Sequence, residues 1–271
     1  VRVDDVLTED TCAKLRSFVF DLRERAREEV ESGAVGHSFR YADVLLRHNR
    51  CDLTIPLGSA VVQSALEELI TESMSPLGHM ISDLLTKDAV LYELSTLISD
   101  PGSQRQVVHP DTPYGGQGGL KENEPVLYTF FVALQDISED MGPTTWLPRT
   151  HNKQAHETFN SGATPGSSQE QKNELLRSTP SVLGTLPKGA CAIFDSRLLH
   201  CGGANENQHG ISRALFYFTF KNPKVTNAGN PGSIRPEMIN AFTLQSLQAE
   251  LAEIAKSGAS ERFDTLCAKM V

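Results

Sequence analysis

The sequence predicts a mainly β fold with flanking helices, a two-sheet jelly roll. Three observations carry this. The hydrophobic period is helical over residues 1–88 and changes near residue 89 to runs rich in aromatic and β-branched residues. Those runs are short, and turn residues rather than alternating helices separate them up to residue 221. His109 and Asp111 stand at the end of one run and His200 at the end of another. A closed β-sandwich gathers distant strand ends of that kind.

The elements follow in order. Thr8 and Thr11 offer capping hydroxyls before CAKLRSFVFDLRERAREEVE. In that run Leu15, Phe18, Val19 and Leu22 recur at three- and four-residue steps, which predicts an amphipathic helix. Gly33 and Gly36 end it. FRYADVLLRHNRCDLTIPL reads as irregular and then extended, closed by Pro56. SAVVQSALEELITESMSPLGHMISDLL predicts a second amphipathic helix, interrupted near Pro76.

From there the chain reads as strands. DAVLYELSTLISD is one strand, or two with a bend, and QRQVVHPD is a short strand that delivers His109 and Asp111. VLYTFFVALQDI is the clearest strand in the chain. GPTTWLPRT, SVLGTL, GACAIFDSRLLHCGG and SRALFYFTFKN bring the set to seven or eight. The stretch 156–180 is a long polar insert, expected to be partly disordered. INAFTLQSLQAELAEIAKSG predicts a helix that packs, with the N-terminal helices, on the outside of a sheet. The expected organisation is a single domain over 1–271. It has helical support at 1–88, a core at 89–221 that holds the 156–180 insert, and a helical segment at 222–271.

Composition narrows the function. Net charge is −9, from 25 basic and 34 acidic residues, which argues against a nucleic-acid surface. No stretch approaches eighteen apolar residues, so no membrane span is expected. The first twenty residues lack the basic, apolar and small-residue order of a signal peptide. Cys12, Cys51, Cys191, Cys201 and Cys267 are scattered, odd in number and form no C-x-x-C pair. A cytoplasmic or otherwise intracellular location is the expectation, unless a targeting segment has been removed. No feature of the sequence sets an oligomeric state.

The chemistry resides in His109, Asp111, His200 and Arg213. His109 and Asp111 are two apart, so one strand presents both to the same side. Two imidazoles and one carboxylate occupy one triangular face of an octahedron and leave three positions open. Iron(II) is the metal whose chemistry needs those openings, although zinc or manganese fits the same ligands. Arg213 stands inside the apolar run SRALFYFTF, where a buried guanidinium calls for an anion. Cys201 neighbours His200 and should point away from it. No G-x-S-x-G elbow is present, which argues against a serine hydrolase.

These residues also carry a likeness. PGSQRQVVHPDTP, LQDISEDMGPTTWLPRTHN and HCGGANENQHGISRALFYFTF make the chain resemble the phytanoyl-CoA dioxygenase family of Fe(II)- and 2-oxoglutarate-dependent oxygenases. The likeness covers roughly residues 85–221. It implies a double-stranded β-helix, the cupin-like jelly roll, and His109, Asp111 and His200 as metal ligands. Arg213 would bind the distal carboxylate of 2-oxoglutarate. A guanidinium suits that role because its paired donors match a carboxylate. Thr129 is the candidate hydroxyl on the same carboxylate, and Thr96 a further polar cosubstrate contact. Ser212 should face away, and Gln106 should brace the H-x-D strand. Two departures stand out. Arg149 occupies a position where the family usually has glycine, and the His200-to-Arg213 interval suggests an enlarged turn at 206–210.

The implied reaction uses Fe(II), 2-oxoglutarate and O2 to hydroxylate or otherwise oxidise an unactivated C–H bond, releasing succinate and CO2. With Asp111 present, hydroxylation is favoured over halogenation. Candidate substrate residues are Tyr114, Trp146, Arg149 and Phe194. The glycines of 112–125 suit a lid, and the 156–180 insert is a second flap candidate. No basic cluster suits a coenzyme A nucleotide, so a small-molecule substrate is expected. The rival readings are a protein side-chain hydroxylase of the same kind and a non-enzymatic cupin-like metal- or ligand-binding protein.

Overall fold

The computed structural model describes residues 1–33, 48–71, 73–115, 120, 124–161, 169–229, 232–258, 260 and 262–263. The first half of the chain forms β1 (Arg2–Val3), α1 (Glu9–Glu31), β2 (Arg50–Thr54), α2 (Ala60–Ile70), α3 (Leu77–Leu85) and β3 (Val90–Ser99). The second half forms β4 (Leu127–Ala133), β5 (Thr144–Trp146), α4 (Lys153–Asn160), α5 (Gln169–Ser178), β6 (Val182–Leu183), β7 (Cys191–Asp195), β8 (His200–Gly202), β9 (Arg213–Lys221) and α6 (Leu244–Ser257).

The strands make two sheets, a six-stranded one in the order β1-β7-β4-β9-β3-β2 and a three-stranded one in the order β6-β5-β8. All strand pairs are antiparallel. Alternation gives the large sheet two distinct faces. Phe130, Val132, Phe216, Phe218 and Phe220 point outward into a core shared with Leu15, Val19, Leu66, Leu69, Ile81 and Leu247 of the helices. Phe131, Ala133, Ala192, Phe194, Leu215 and Tyr217 point inward, toward Trp146 and Leu186 of the small-sheet side. The helical layer therefore supports the sheet from behind and leaves its inner face for the site.

Helix ends follow local chemistry. Thr8 caps α1 by accepting from Thr11 N–H, and Gly33 follows the helix with φ 74°. Pro76 separates α2 from α3. Thr243 and Ser246 form a capping box at α6. β3 is one strand with a bulge between Leu91 and Glu93, the expected bend. Gly36 lies outside the described residues. No helix among the described residues is long and apolar enough to cross a membrane.

Four expectations need correction. The 156–180 insert, for which no helix is expected, contains the end of α4 and all of α5. Asn152 caps α4, and Phe159 packs on Leu147 and Leu199, a helical stripe that the polar composition hid. Residues 162–168 lie outside the described set. GACAIFDSRLLHCGG is two strands, not one. Asp195 accepts from Arg197 N–H and from the Arg197 guanidinium, and this turn carries the chain from the large sheet to the small one. His200 consequently opens β8 instead of ending a strand. QRQVVHPD is not a regular strand. Gln106 N–H bonds Gly202 O and His109 N–H bonds His200 O, both at 2.9 Å. Three steps on one side answer two on the other, so one residue is extra. β1 pairs with β7 and had no sequence signal.

Candidate metal centre

His109 and His200 face each other across an isolated antiparallel bridge. Their rings stand 4.7 Å apart at 51°. Asp111 Oδ1 lies 3.7 Å from His109 Nε2 and 3.5 Å from His200 Nε2. One ligand atom from each of the three lies within 4.8 Å of the others, and no further group of this kind occurs among the described residues. His109 Nδ1 is 2.8 Å from Val107 O, and His200 Nδ1 is 2.8 Å from Leu198 O. A carbonyl only accepts, so each Nδ1 carries the proton and each Nε2 keeps its lone pair for a metal.

The turn after β7 fixes Asp111. Ser196 O accepts from the N–H groups of Asp111 (2.9 Å) and Thr112 (3.0 Å), and Ser196 Oγ donates to Thr112 Oγ1 at 2.8 Å. Gln106 braces the segment, its Oε1 accepting from Gly202 N–H at 2.7 Å. Phe194 packs edge-on against the His200 ring at 5.2 Å. Cys201 points elsewhere and accepts from Arg105 Nε at 3.4 Å.

Arg213 is 2% exposed at the inner face. Its Nη1 donates to Gly142 O, while its Nε has no hydrogen-bond partner. Burial, with Arg50 nearby, pulls the guanidinium down to about 9. A buried cation with an unused donor fits a carboxylate. Gly142 has φ 64°, and a Cβ there would strike Ala204 O, so only glycine lets this carbonyl reach Arg213. Ser212 donates to Asp100, away from the site.

Thr129 and Thr96 do not join Arg213. Thr129 faces inward, but it pairs with Thr219, six residues along β9 from Arg213. That is roughly 20 Å of strand, too far to share one carboxylate. Thr96 pairs with Phe216, so it lies on the outer, helix-covered face, where its hydroxyl donates to Leu215 O at 2.8 Å. The sequence contained the periodicity for both strands but not the register between them.

The substrate candidates divide between two hollows. Trp146, Arg149 and Phe194 line one of about 840 Å³ at the edge where β5 and β6 meet β7. Trp146 Nε1 is buried there without a partner. Tyr114 lines a smaller one of about 650 Å³ beside α4. Tyr114 N–H donates to His156 Nδ1 at 3.1 Å, and His156 Nε2–H donates to Arg197 O at 2.7 Å. Burial lowers the His156 pKa, which keeps that Nδ1 an acceptor. Of the 112–125 lid candidate, residues 116–119 and 121–123 lie outside the described set. Arg149 has φ 68°, the left-handed conformation that glycine adopts most readily. The longer 206–210 turn is closed by Asn207, whose Oδ1 accepts from His209 and Ile211 N–H.

The sequence reading passed over one group. Asp52, Glu93, Ser95, Tyr217 and Thr219 all face inward. Burial pushes Glu93 up to about 8, with Asp111 and Asp52 adding to the shift. Alternation from Arg213 would have found Tyr217 and Thr219. Asp52 and Glu93 needed the cross-strand register.

A jelly roll with a two-histidine, one-carboxylate face and a buried arginine defines a non-haem iron oxygenase centre. A family model, phytanoyl-CoA dioxygenase (PhyH), matches residues 1–214. The chain belongs to the phytanoyl-CoA dioxygenase family and is a 2-oxoglutarate-dependent non-haem iron dioxygenase. Solved structures share the fold. SnoK, a non-haem α-ketoglutarate-dependent carbocyclase from nogalamycin biosynthesis, is 16% identical with TM-score 0.55, over 85% of this chain and 82% of that one. HygX from Streptomyces hygroscopicus, with nickel and 2-oxoglutarate bound, is 13% identical with TM-score 0.54, over 85% and 90%. EctD from S. alaskensis, with bound Fe, is 12% identical with TM-score 0.54, over 90% and 82%. No curated protein matches the chain. Family membership sets aside the non-enzymatic reading.

Proposed function

We propose that the enzyme hydroxylates, or otherwise oxidises, an unactivated C–H bond of a small organic substrate, converting 2-oxoglutarate to succinate and CO2. The observation that carries this is the close triad of His109 Nε2, Asp111 Oδ1 and His200 Nε2. Iron with 2-oxoglutarate and oxygen supplies the oxidising power once bound.

The chain's own residues do the rest. His109, Asp111 and His200 would hold the metal. Val107 O and Leu198 O keep both imidazoles in the ligating tautomer. Arg213 holds the distal carboxylate of 2-oxoglutarate. Gly142 O, its partner, adjoins Gly203, three residues along the chain from His200. That is about 10 Å of strand, which an arginine side chain and a five-carbon diacid together span. Phe194 and Trp146 pack on the His200 side, and Tyr114 is latched to His156, which bonds Arg197 O in the turn before His200. Arg149 is the candidate contact for an anionic substrate group.

Succinate formation from 2-oxoglutarate with iron(II) and oxygen tests the reading. Wild-type protein should form succinate, at least slowly without substrate, and chelation should stop it. Succinate production that is equal with and without iron would overturn the proposal.

A further inference from the structure

We propose that the inner face of β2 and β3 carries a subsite for a positively charged group of the substrate, an ammonium or guanidinium, with Asp52 and Glu93 as its two acidic residues. This rests on the oxygenase reading, because the substrate must lie beside the metal.

Position comes first. Phe194, Thr129, Thr219 and Glu93 are directly opposite one another on β7, β4, β9 and β3, so they form one inward row. Phe194 touches the His200 ring at one end of that row. Three strand spacings put Glu93 at about 14 Å from Phe194, on the same face. A substrate the size of a sugar or a short polyamine covers that distance.

The two carboxylates are held differently. Asp52 accepts from Ser95 Oγ at 2.6 Å and from Tyr217 OH at 3.0 Å to each oxygen, which fixes its direction. It keeps some accessible surface although its neighbours Cys51 and Leu53 are buried. Glu93 is 7% exposed, and Ser233 N–H reaches its Oε1 at 3.3 Å. No basic side chain forms an ion pair with Glu93 among the described residues. Glu93, buried with Asp111 and Asp52 in its surroundings, keeps its proton when no cation is present, and a bound cation would offset the cost of ionising it.

An independent observation points to a ligand. The hydroxyls of Thr54 and Thr129 are buried, 0% and 2% exposed, and make no hydrogen bond. Thr54 is directly opposite Ser95 and two residues from Asp52, so it stands on the same inner face as the acids. Thr129 stands in the row between Phe194 and Thr219. Most buried hydroxyls are satisfied, and leaving one unpaired costs about 1–3 kcal/mol. An ammonium group brings donors only, which suits two carboxylates and a hydroxyl oxygen acting as acceptors. A metal at this point is not favoured, because the acids have no imidazole or third carboxylate within ligand reach among the described residues.

The test uses the whole protein loaded with iron(II) and 2-oxoglutarate under argon. Loading is measured first by calorimetry, and failure to bind either one sinks the oxygenase reading before any amine is added. Glucosamine against glucose, and putrescine against 1,4-butanediol, are then titrated. At least one amine should bind tenfold or more tightly than its neutral counterpart. That preference should fall to within threefold in Asp52→Asn and in Glu93→Gln, and Thr54→Val should weaken the amine several-fold. Neither amine outbinding its counterpart, including no binding at all, overturns the proposal, as does a preference that survives in both acid variants. If the variants do not fold, the wild-type comparison decides alone.

Discussion

His109 and His200 bond to each other backbone to backbone, N–H to carbonyl in both directions at 2.9 Å. Two of the three candidate ligands are thus set by a strand contact rather than by a metal. The third, Asp111, hangs from the Ser196 carbonyl, which belongs to the turn that delivers His200. The H-x-D segment and the distal histidine are in effect one hydrogen-bonded unit. Such a site is preorganised, and little ordering cost opposes metal binding.

Arg213 should decide cosubstrate affinity. Arg213→Leu removes the paired donors and should weaken 2-oxoglutarate by about a hundredfold or more, given roughly 1.5–3 kcal/mol for each charge-assisted hydrogen bond. In the wild type, 2-oxoglutarate at a hundred times its Kd should add about 2.7 kcal/mol to stability. Thermal melts with and without 2-oxoglutarate measure both. An equal shift in wild type and Arg213→Leu would remove Arg213 from the site.

Arg149 stores local strain. Its φ of 68° costs a branched or long side chain about 1–2 kcal/mol, and glycine recovers that minus its greater entropy in the unfolded chain. Arg149→Gly should therefore be neutral to stabilising, by less than about 1 kcal/mol. Arg149→Val should be clearly destabilising. Urea midpoints distinguish them, and a loss of more than 1 kcal/mol in Arg149→Gly would show that the side chain holds the turn.

Glu93 gives stability a pH dependence. Its folded pKa is raised from 4.5 to about 8, chiefly by burial. Between those values the folded protein keeps a proton that the unfolded chain has released. The contribution is fully present below 4.5 and is lost as pH rises through 8. Glu93→Gln should therefore gain on the wild type as pH goes from 5 to 9, by a few kcal/mol at about 1.4 kcal/mol per unit. Urea midpoints of metal-free protein at pH 5, 7 and 9 test this, and parallel profiles would contradict it.

Much of this was legible in the sequence, and the rest failed for definite reasons. α1, α2, α3 and α6 announced themselves through caps, prolines and a helical stripe, as with Leu15, Val19 and Leu22. β4 and β9 are buried runs of aromatic residues. His109, Asp111, His200 and Arg213 were legible because residue type and order suffice to nominate them. Thr129 and Thr96 were misjudged because their roles depend on register, which only strand pairing supplies. α4 was missed because three buried side chains, Ala155, His156 and Phe159, carry its packing within a polar segment. Asp52 and Glu93 come from different strands, and no local pattern joins them.

The most direct test is iron(II) binding by calorimetry, under argon, to wild type and Asp111→Ala. Asp111 is partly exposed and its backbone N–H, not its side chain, ties it to Ser196, so the variant should fold and melt like the wild type. The wild type should bind one iron(II) per chain, and Asp111→Ala should bind at least a hundredfold more weakly, with unchanged secondary structure. Equal affinity and stoichiometry in the two proteins would place the metal elsewhere and contradict the centre described by His109, Asp111 and His200.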